Sequence, residues 1–233
     1  MPRFLRLLGC SAMLAASGMG IAVAADVPPP VPPPTYVPAV QVFSWTGFYI
    51  GGNAGYGWSN ASGTFTTASG PDPFTAKGNG FLGGAQAGYN WQTGPVVFGA
   101  EADFQGSTAN GPLSATAGPT ISATAKTPWF GTVRGRVGYA IDRILLYATG
   151  GAVYGDGSLN GTVSSVGTFS NSATFWTWTA GAGAEVAFWG CWSAKLEYLY
   201  MGTPSTTPVI PTVTAVSGSA STNIIRAGIN YHF

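Results

Sequence analysis

The stretch Thr46-Gly47-Phe48-Tyr49-Ile50-Gly51-Gly52-Asn53-Ala54-Gly55-Tyr56-Gly57-Trp58 divides by parity. Even positions carry Phe48, Ile50, Ala54, Tyr56 and Trp58, whereas odd positions carry Tyr49, Gly51, Asn53, Gly55 and Gly57. Side chains on a strand alternate between two faces, so this segment reads as a strand with one apolar face and one small or polar face. No helical spacing of 3.6 accounts for the same pattern.

Seven further segments repeat the division, at 79–92, 95–106, 127–140, 144–156, 173–188, 192–202 and 222–233. In 95–106, Val96, Phe98, Ala100, Ala102 and Phe104 oppose Glu101, Asp103 and Gln105; in 127–140, Trp129, Val133, Val137 and Tyr139 oppose Thr132, Arg134 and Arg136. In 192–202, Trp192, Ala194, Leu196, Tyr198 and Tyr200 oppose Ser193, Lys195 and Glu197. The connections near Thr93-Gly94, Asp142-Arg143 and Gly190 are very short, while those near 59–78, 107–126, 157–171 and 203–221 are long and rich in Ser, Thr and Gly. Alternating segments of about ten residues with short and long breaks in turn are the pattern of a transmembrane barrel. The expected fold is all-β: an eight-stranded antiparallel up-and-down transmembrane β-barrel with short periplasmic turns and long extracellular loops.

Placement of aromatics and charges agrees with that expectation. Outward aromatics gather at the two ends of the segments, among them Tyr56, Phe81, Trp129 and Trp176 at one end and Phe48, Tyr89, Trp192 and Phe233 at the other. Amphipathic rings favour the headgroup level of a membrane. Ala100, Ala148 and Ala182, between the two bands, are expected near the bilayer centre. Glu101, Asp103, Glu185 and Glu197 fall on the inner face together with Arg134, Arg136, Lys195 and Arg226, a neutral set expected to form a lumen ion-pair network. The short connection at Trp189-Gly190-Cys191 further predicts that Glu185 and Lys195 face each other as a pair, with Glu197 diagonal to them and within reach of Arg226.

Composition supports a chain that meets lipid. Of 233 residues, 45% are hydrophobic and 7% are charged, against about a quarter charged in soluble domains. Arg3 and Arg6, the apolar run from Leu7 to Val23, and Ala22-Val23-Ala24 read as a cleaved secretory signal over residues 1–25. Residues 26–44 include Pro28, Pro29, Pro30, Pro32, Pro33, Pro34 and Pro38 and read as a Pro-rich periplasmic linker. The barrel is expected over 45–233. Leu7-Leu8-Gly9-Cys10 is too close to the start to serve as a lipoprotein box, and removal of the signal leaves Cys191 alone, so no intramolecular disulfide is expected.

The last strand places Ile229, Tyr231 and Phe233 in alternation on the lipid side, and the chain stops at Phe233. This is similar to the terminal signature by which barrel assembly machinery recognises its substrates. The motifs Trp45 to Trp58, Gly131-Thr132-Val133-Arg134-Gly135-Arg136-Val137-Gly138-Tyr139, Leu146-Tyr147-Ala148-Thr149-Gly150-Gly151 and Lys195-Leu196-Glu197-Tyr198-Leu199-Tyr200 resemble the opacity-type small outer-membrane proteins, a group also labelled a porin family. The resemblance covers nearly all of the chain beyond the signal. It implies an outer-membrane surface antigen with variable exposed loops, in a group credited with envelope integrity, adhesion or host interaction, and ligand or haem binding.

Chemistry is expected to be absent. His232 is the only histidine, and with Cys191 alone neither a Ser-His-Asp relay nor a metal cluster can be assembled around it. The glycines from Gly51 to Gly57 suit close packing inside a narrow barrel rather than a phosphate loop. A net charge of +1 gives no field for nucleic acid. The sequence therefore predicts no enzyme and no cofactor. Its expected partners are outer-membrane lipid and lipopolysaccharide, the assembly machinery and an unidentified extracellular ligand. The leading function is a structural envelope role or a loop-mediated interaction; the alternatives are a small passive channel and a soluble secreted β-protein.

Overall fold

The computed structural model describes residues 43–67, 70–116, 120–204, 213 and 215–233. The expected signal, and the linker apart from Phe43 and Ser44, lie outside the described residues. Nine strands occur among those described: β1 Gly47–Thr67, β2 Gly70–Thr93, β3 Val96–Ser107, β4 Asn110–Thr116, β5 Thr120–Ile141, β6 Ile144–Val163, β7 Gly167–Trp189, β8 Trp192–Met201 and β9 Ala215–His232. Eight of them, all but β4, form a ring of antiparallel neighbours that closes through the β1–β9 ladder. Among the described residues, closure leaves no unpaired edge in the ring up to the end of β8 at Met201, the condition for strands in lipid.

The turns at one end have two central residues, between the pairs Thr93↔Val96, Ile141↔Ile144 and Trp189↔Trp192. Each begins with a positive φ, at Gly94 (58°), Asp142 (53°) and Gly190 (52°). Glycine enters this left-handed region without steric cost, and aspartate tolerates it better than most residues. At the third turn the register slips between Ala187 and Trp189. The bulge turns Phe188 and Trp189 outward together, so the hairpin is symmetric about Gly190 only from Ala187↔Ser193 onward.

The breaks at 59–78, 107–126 and 157–171 are not loops for most of their length. The β1–β2 ladder runs on to Thr67↔Gly70, β5–β6 to Ile121↔Val163, and β6–β7 to Val163↔Gly167. Short β4 continues the wall above the end of β3, pairing with β2 and β5. Within 203–221, residues from Ala215 belong to β9. The barrel thus carries a β-collar beyond its aromatic band. An apolar cluster explains the collar: Phe65, Ile121, Ala123, Leu159 and Val163 point inward and are buried, with Phe74, Ala76, Phe169, Val213 and Val216 packed against them. Burial inside and water outside make a two-faced sheet here too.

Between the turns and the collar the outer face is apolar. Rings touch around the collar-side band, at 5.2 Å for Tyr56–Phe81, 5.7 Å for Phe104–Trp129 and 4.7 Å for Tyr154–Trp176. On the turn side, Phe48–Tyr89 and Trp192–Tyr231 are 4.7 and 5.2 Å apart. From Phe48 to Tyr56, β1 advances about 26 Å at ~3.3 Å per residue, comparable before tilt with the roughly 25 Å apolar band of such barrels.

Candidate functional site

The lumen is built in layers, and the turn-side layer is apolar. Trp45, Val97, Ala140, Leu145, Tyr147 and Ala187 cluster there with Phe43 against them. Trp45 precedes β1 and folds into the mouth: its backbone N–H donates to Gln92 Oε1 (2.8 Å), its indole N–H donates to the Asp142 carbonyl (3.4 Å), and Phe43 meets its ring edge-on at 4.9 Å. The odd parity that Trp45 shares with Tyr49 is the signal that places it inside.

Above it lies the ion-pair layer, where the eight predicted charges meet, each at most 8% exposed. Glu101 is the hub. It contacts Arg134 closely, accepts from Lys195 Nζ at 2.9 and 3.0 Å and from Tyr49 Oη at 2.8 Å, and lies 3.4 Å from Arg226 and 3.8 Å from Arg136. Asp103 binds Arg134 and Arg226, both at 2.9 Å, and accepts from Thr132 at 2.8 Å. Glu197 binds Arg226 at 2.7 Å and Arg134 at 3.0 Å, and accepts from Tyr147 Oη at 3.1 Å.

Glu185 and Lys195 are register partners across β7 and β8, yet they do not pair as the turn symmetry suggests. Glu185 binds Arg136 at 3.2 Å and accepts from Ser193 (2.5 Å) and Asn230 (2.7 Å), while Lys195 crosses the lumen to Glu101. The physical reason is the barrel's width: a lysine stem reaches the far wall, where the Glu101 carboxylate is the common focus. The expected Glu197–Arg226 neighbours are register partners and are bonded.

Two inward tyrosines shape the layer. Tyr49 is paired with Gly88 and Tyr147 with Gly183, and the Arg136 guanidinium lies 4.6 and 5.3 Å from the two ring centres. That arrangement favours the cation electrostatically. A Cβ on Gly88 would come within 2.3 Å of Tyr49 Oη and 2.6 Å of the Ala100 carbonyl. Gly88→Ala should therefore push Tyr49 off Glu101 and cost about 1 to 3 kcal/mol, the range for overpacking. Urea unfolding of Gly88→Ala, Tyr49→Phe and the double variant in lipid vesicles checks this. Fully additive costs would show that the glycine does not serve the Tyr49–Glu101 bond.

The structure does bring a serine, a histidine and a carboxylate together, which the sequence reading excluded. Ser193 Oγ lies 3.0 Å and Glu185 Oε1 3.3 Å from the same nitrogen, His232 Nε2. A nucleophile relay needs serine and carboxylate on opposite ring nitrogens. Here Ser193 donates directly to Glu185, is fully buried, and the imidazole packs at 5.5 to 5.8 Å against Tyr49, Trp45 and Phe43. The group is arranged as packing beside the Trp45 layer. Among the described residues, no group of three or more His, Cys, Asp or Glu is placed to hold a metal ion.

Leu82, Phe130, Val153, Leu199, Met201 and Ile224 form a third layer above the charges, with Phe175 against it. Sequence reasoning did not single it out, although Phe130, Val153, Leu199 and Ile224 are apolar residues at inward parity. At the chain end, Ile229 and Phe233 are exposed on the lipid side, Tyr231 lies between Trp192 and Phe233 at 5.2 and 5.1 Å, and the Phe233 N–H donates to the Phe48 carbonyl at 2.9 Å.

Comparison with known families matches residues 12–233 to the outer membrane protein beta-barrel domain. The chain belongs to this family. Within the family's reach, it is 40% identical to the 31 kDa outer-membrane immunogenic protein of Brucella melitensis, over 97% of this chain and 98% of that protein. It is 34% identical to a 22 kDa outer membrane protein of Rhizobium leguminosarum, over 70% of this chain and 66% of that one. Among solved structures, the outer membrane protein OprG of Pseudomonas aeruginosa superposes with a TM-score of 0.50 at 12% identity, covering 81% of this chain and 96% of OprG, a likeness of fold alone. The chain is an outer-membrane β-barrel protein, and the soluble reading is set aside.

Proposed function

We propose that this family member is a non-catalytic, non-conducting surface protein: the barrel anchors it, and the collar meets partners outside the cell. The observation that carries this reading is the lumen packed at three successive levels, by the Trp45 layer, the ion-pair layer and the Leu82–Ile224 layer. An eight-stranded barrel is just wide enough for side chains to fill, whereas porin channels need many more strands. The description of the Brucella relative as immunogenic supports an exposed outer surface. The relay geometry that catalysis would need is not met at His232, and no step in this role calls for a cofactor. Lipid and lipopolysaccharide contact the two aromatic bands, the assembly machinery reads Ile229, Tyr231 and Phe233, and an extracellular ligand or host molecule would meet the collar. The few charges near the collar are of both signs, at Asp72, Lys77, Lys126 and Asp156, which gives nucleic acid no basic field.

The test is conductance. Purified protein in planar bilayers is expected to give no stable current, because each layer would have to open in concert. Large, steady, weakly selective openings would overturn the reading in favour of a passive channel.

A further inference from the structure

Between the Leu82–Ile224 layer and the collar cluster lies a cavity of about 300 Å³. Its floor is made by Leu82, Phe130, Phe175, Met201 and Ile224, and Leu159, part of the collar cluster, borders it from above. The wall at this level is made of small residues on several strands: Gly57 on β1, Gly78 and Gly80 on β2, Ala125 on β5, Gly157 on β6 and Ala173 on β7. Floor and roof carry large apolar side chains, and the described residues leave this level between them unfilled. At two of the glycines the backbone does not demand it. A Cβ would meet nothing closer than 3.4 Å at Gly57 or 3.8 Å at Gly157, which is ordinary contact.

The lining also sets the chemistry of an occupant. Among the described residues that line it, Lys126 is the only charged one, and the remaining polar groups are neutral hydroxyls and side-chain amides, such as those of Ser59, Thr177, Asn79 and Asn171. An apolar cavity of about 150 Å³ takes one benzene, so this one is of two-ring size. β8 ends at Met201, and above it β7 and β9 share no ladder among the described residues. Gly202 and Pro204 border the cavity at that seam, tied by Thr177 Oγ1 donating to the Gly202 carbonyl (2.9 Å) and Thr203 Oγ1 to the Ala220 carbonyl (3.1 Å).

We infer that the collar cavity is a binding site for a compact, neutral, largely apolar molecule of two-ring size. The ion-pair layer beneath closes the route to the periplasm, so the site holds its ligand rather than passing it on. Binding here does not depend on the anchoring role, and conductance and ligand binding fail separately.

The experiment titrates indole into the full chain in lipid nanodiscs with labelled Ile, Leu and Met methyl groups. The Leu82, Met201 and Ile224 methyls should shift and saturate, while the outward methyls of Leu146, Leu196, Ile225 and Ile229 should follow only the linear partition of indole into lipid. Ala173→Leu and Gly157→Val each fill the cavity and should abolish saturation while keeping the folded barrel's spectrum. The two fillings come from different strands, so failure of one to insert leaves the other to decide. Inward methyls that track the outward ones, or saturation that survives filling, would overturn the site.

Discussion

Truncating the hub of the ion-pair layer, by Glu101→Ala, should destabilise the barrel by about 3 to 5 kcal/mol, the cost of leaving a buried charge without its partner. Arg134, Arg136, Lys195 and Arg226 all reach Glu101, and each is at most 5% exposed. Without that carboxylate, Lys195 loses both of its short contacts, and Arg134 and Arg226 are left to Asp103 and Glu197. The variant should be measured by urea unfolding in vesicles, beside Lys195→Ala, Glu185→Ala and the doubles. Glu101 and Lys195 should couple strongly. Glu185 and Lys195, facing each other in register but turned to different partners, should be close to additive. Strong coupling of Glu185 with Lys195, and none with Glu101, would sink the cross-lumen assignment.

That contrast marks how far this sequence can be read. The faces of the strands were legible because lipid and lumen differ so sharply that parity alone separates Ala100 and Ala102 from Glu101 and Asp103. Register followed from the symmetry of a short turn about Gly190, and Glu185↔Lys195 is in place. The bonding partner was not legible, because it depends on side-chain reach across the barrel and on which carboxylate several cations can share. The collar was hidden for a different reason. There the outer face meets water, so Ser158 and Ser172 alternate with Gly157 and Ala173, and the composition imitates a loop. The inward Phe65, Ile121, Leu159 and Val163 are the trace it leaves, one or two apolar residues per segment. The cavity has the same origin: a row of small inward residues reads as nothing until the strands are known to continue.

Ala148→Arg tests the membrane frame that all of this rests on. Ala148 is exposed on the outer face of β6, paired with Val137 on β5 and Ala182 on β7. On its own strand Leu146 lies toward the turn, beside Tyr139 of the lower band, and Tyr154 lies toward the collar, in contact with Trp176. Six steps along β6 from Ala148 to Tyr154 cover about 20 Å at ~3.3 Å per residue, too far for an arginine to bring its charge up to the collar-side band. Toward the turn, however, the Tyr139 level is only two steps away, about 7 Å at ~3.3 Å per residue, so the guanidinium leans to that interface and the cost should be positive but below the roughly 2 to 4 kcal/mol of mid-depth. Ser172→Arg, outward on β7 within the collar and paired with Ser158, is the matched control. It should be near neutral because its arginine meets water. Unfolding free energies in vesicles should separate the two, and the gap should narrow in thinner bilayers as position 148 comes closer to a surface. Equal costs at the two positions would mean that the apolar band does not lie where the aromatic rings place it.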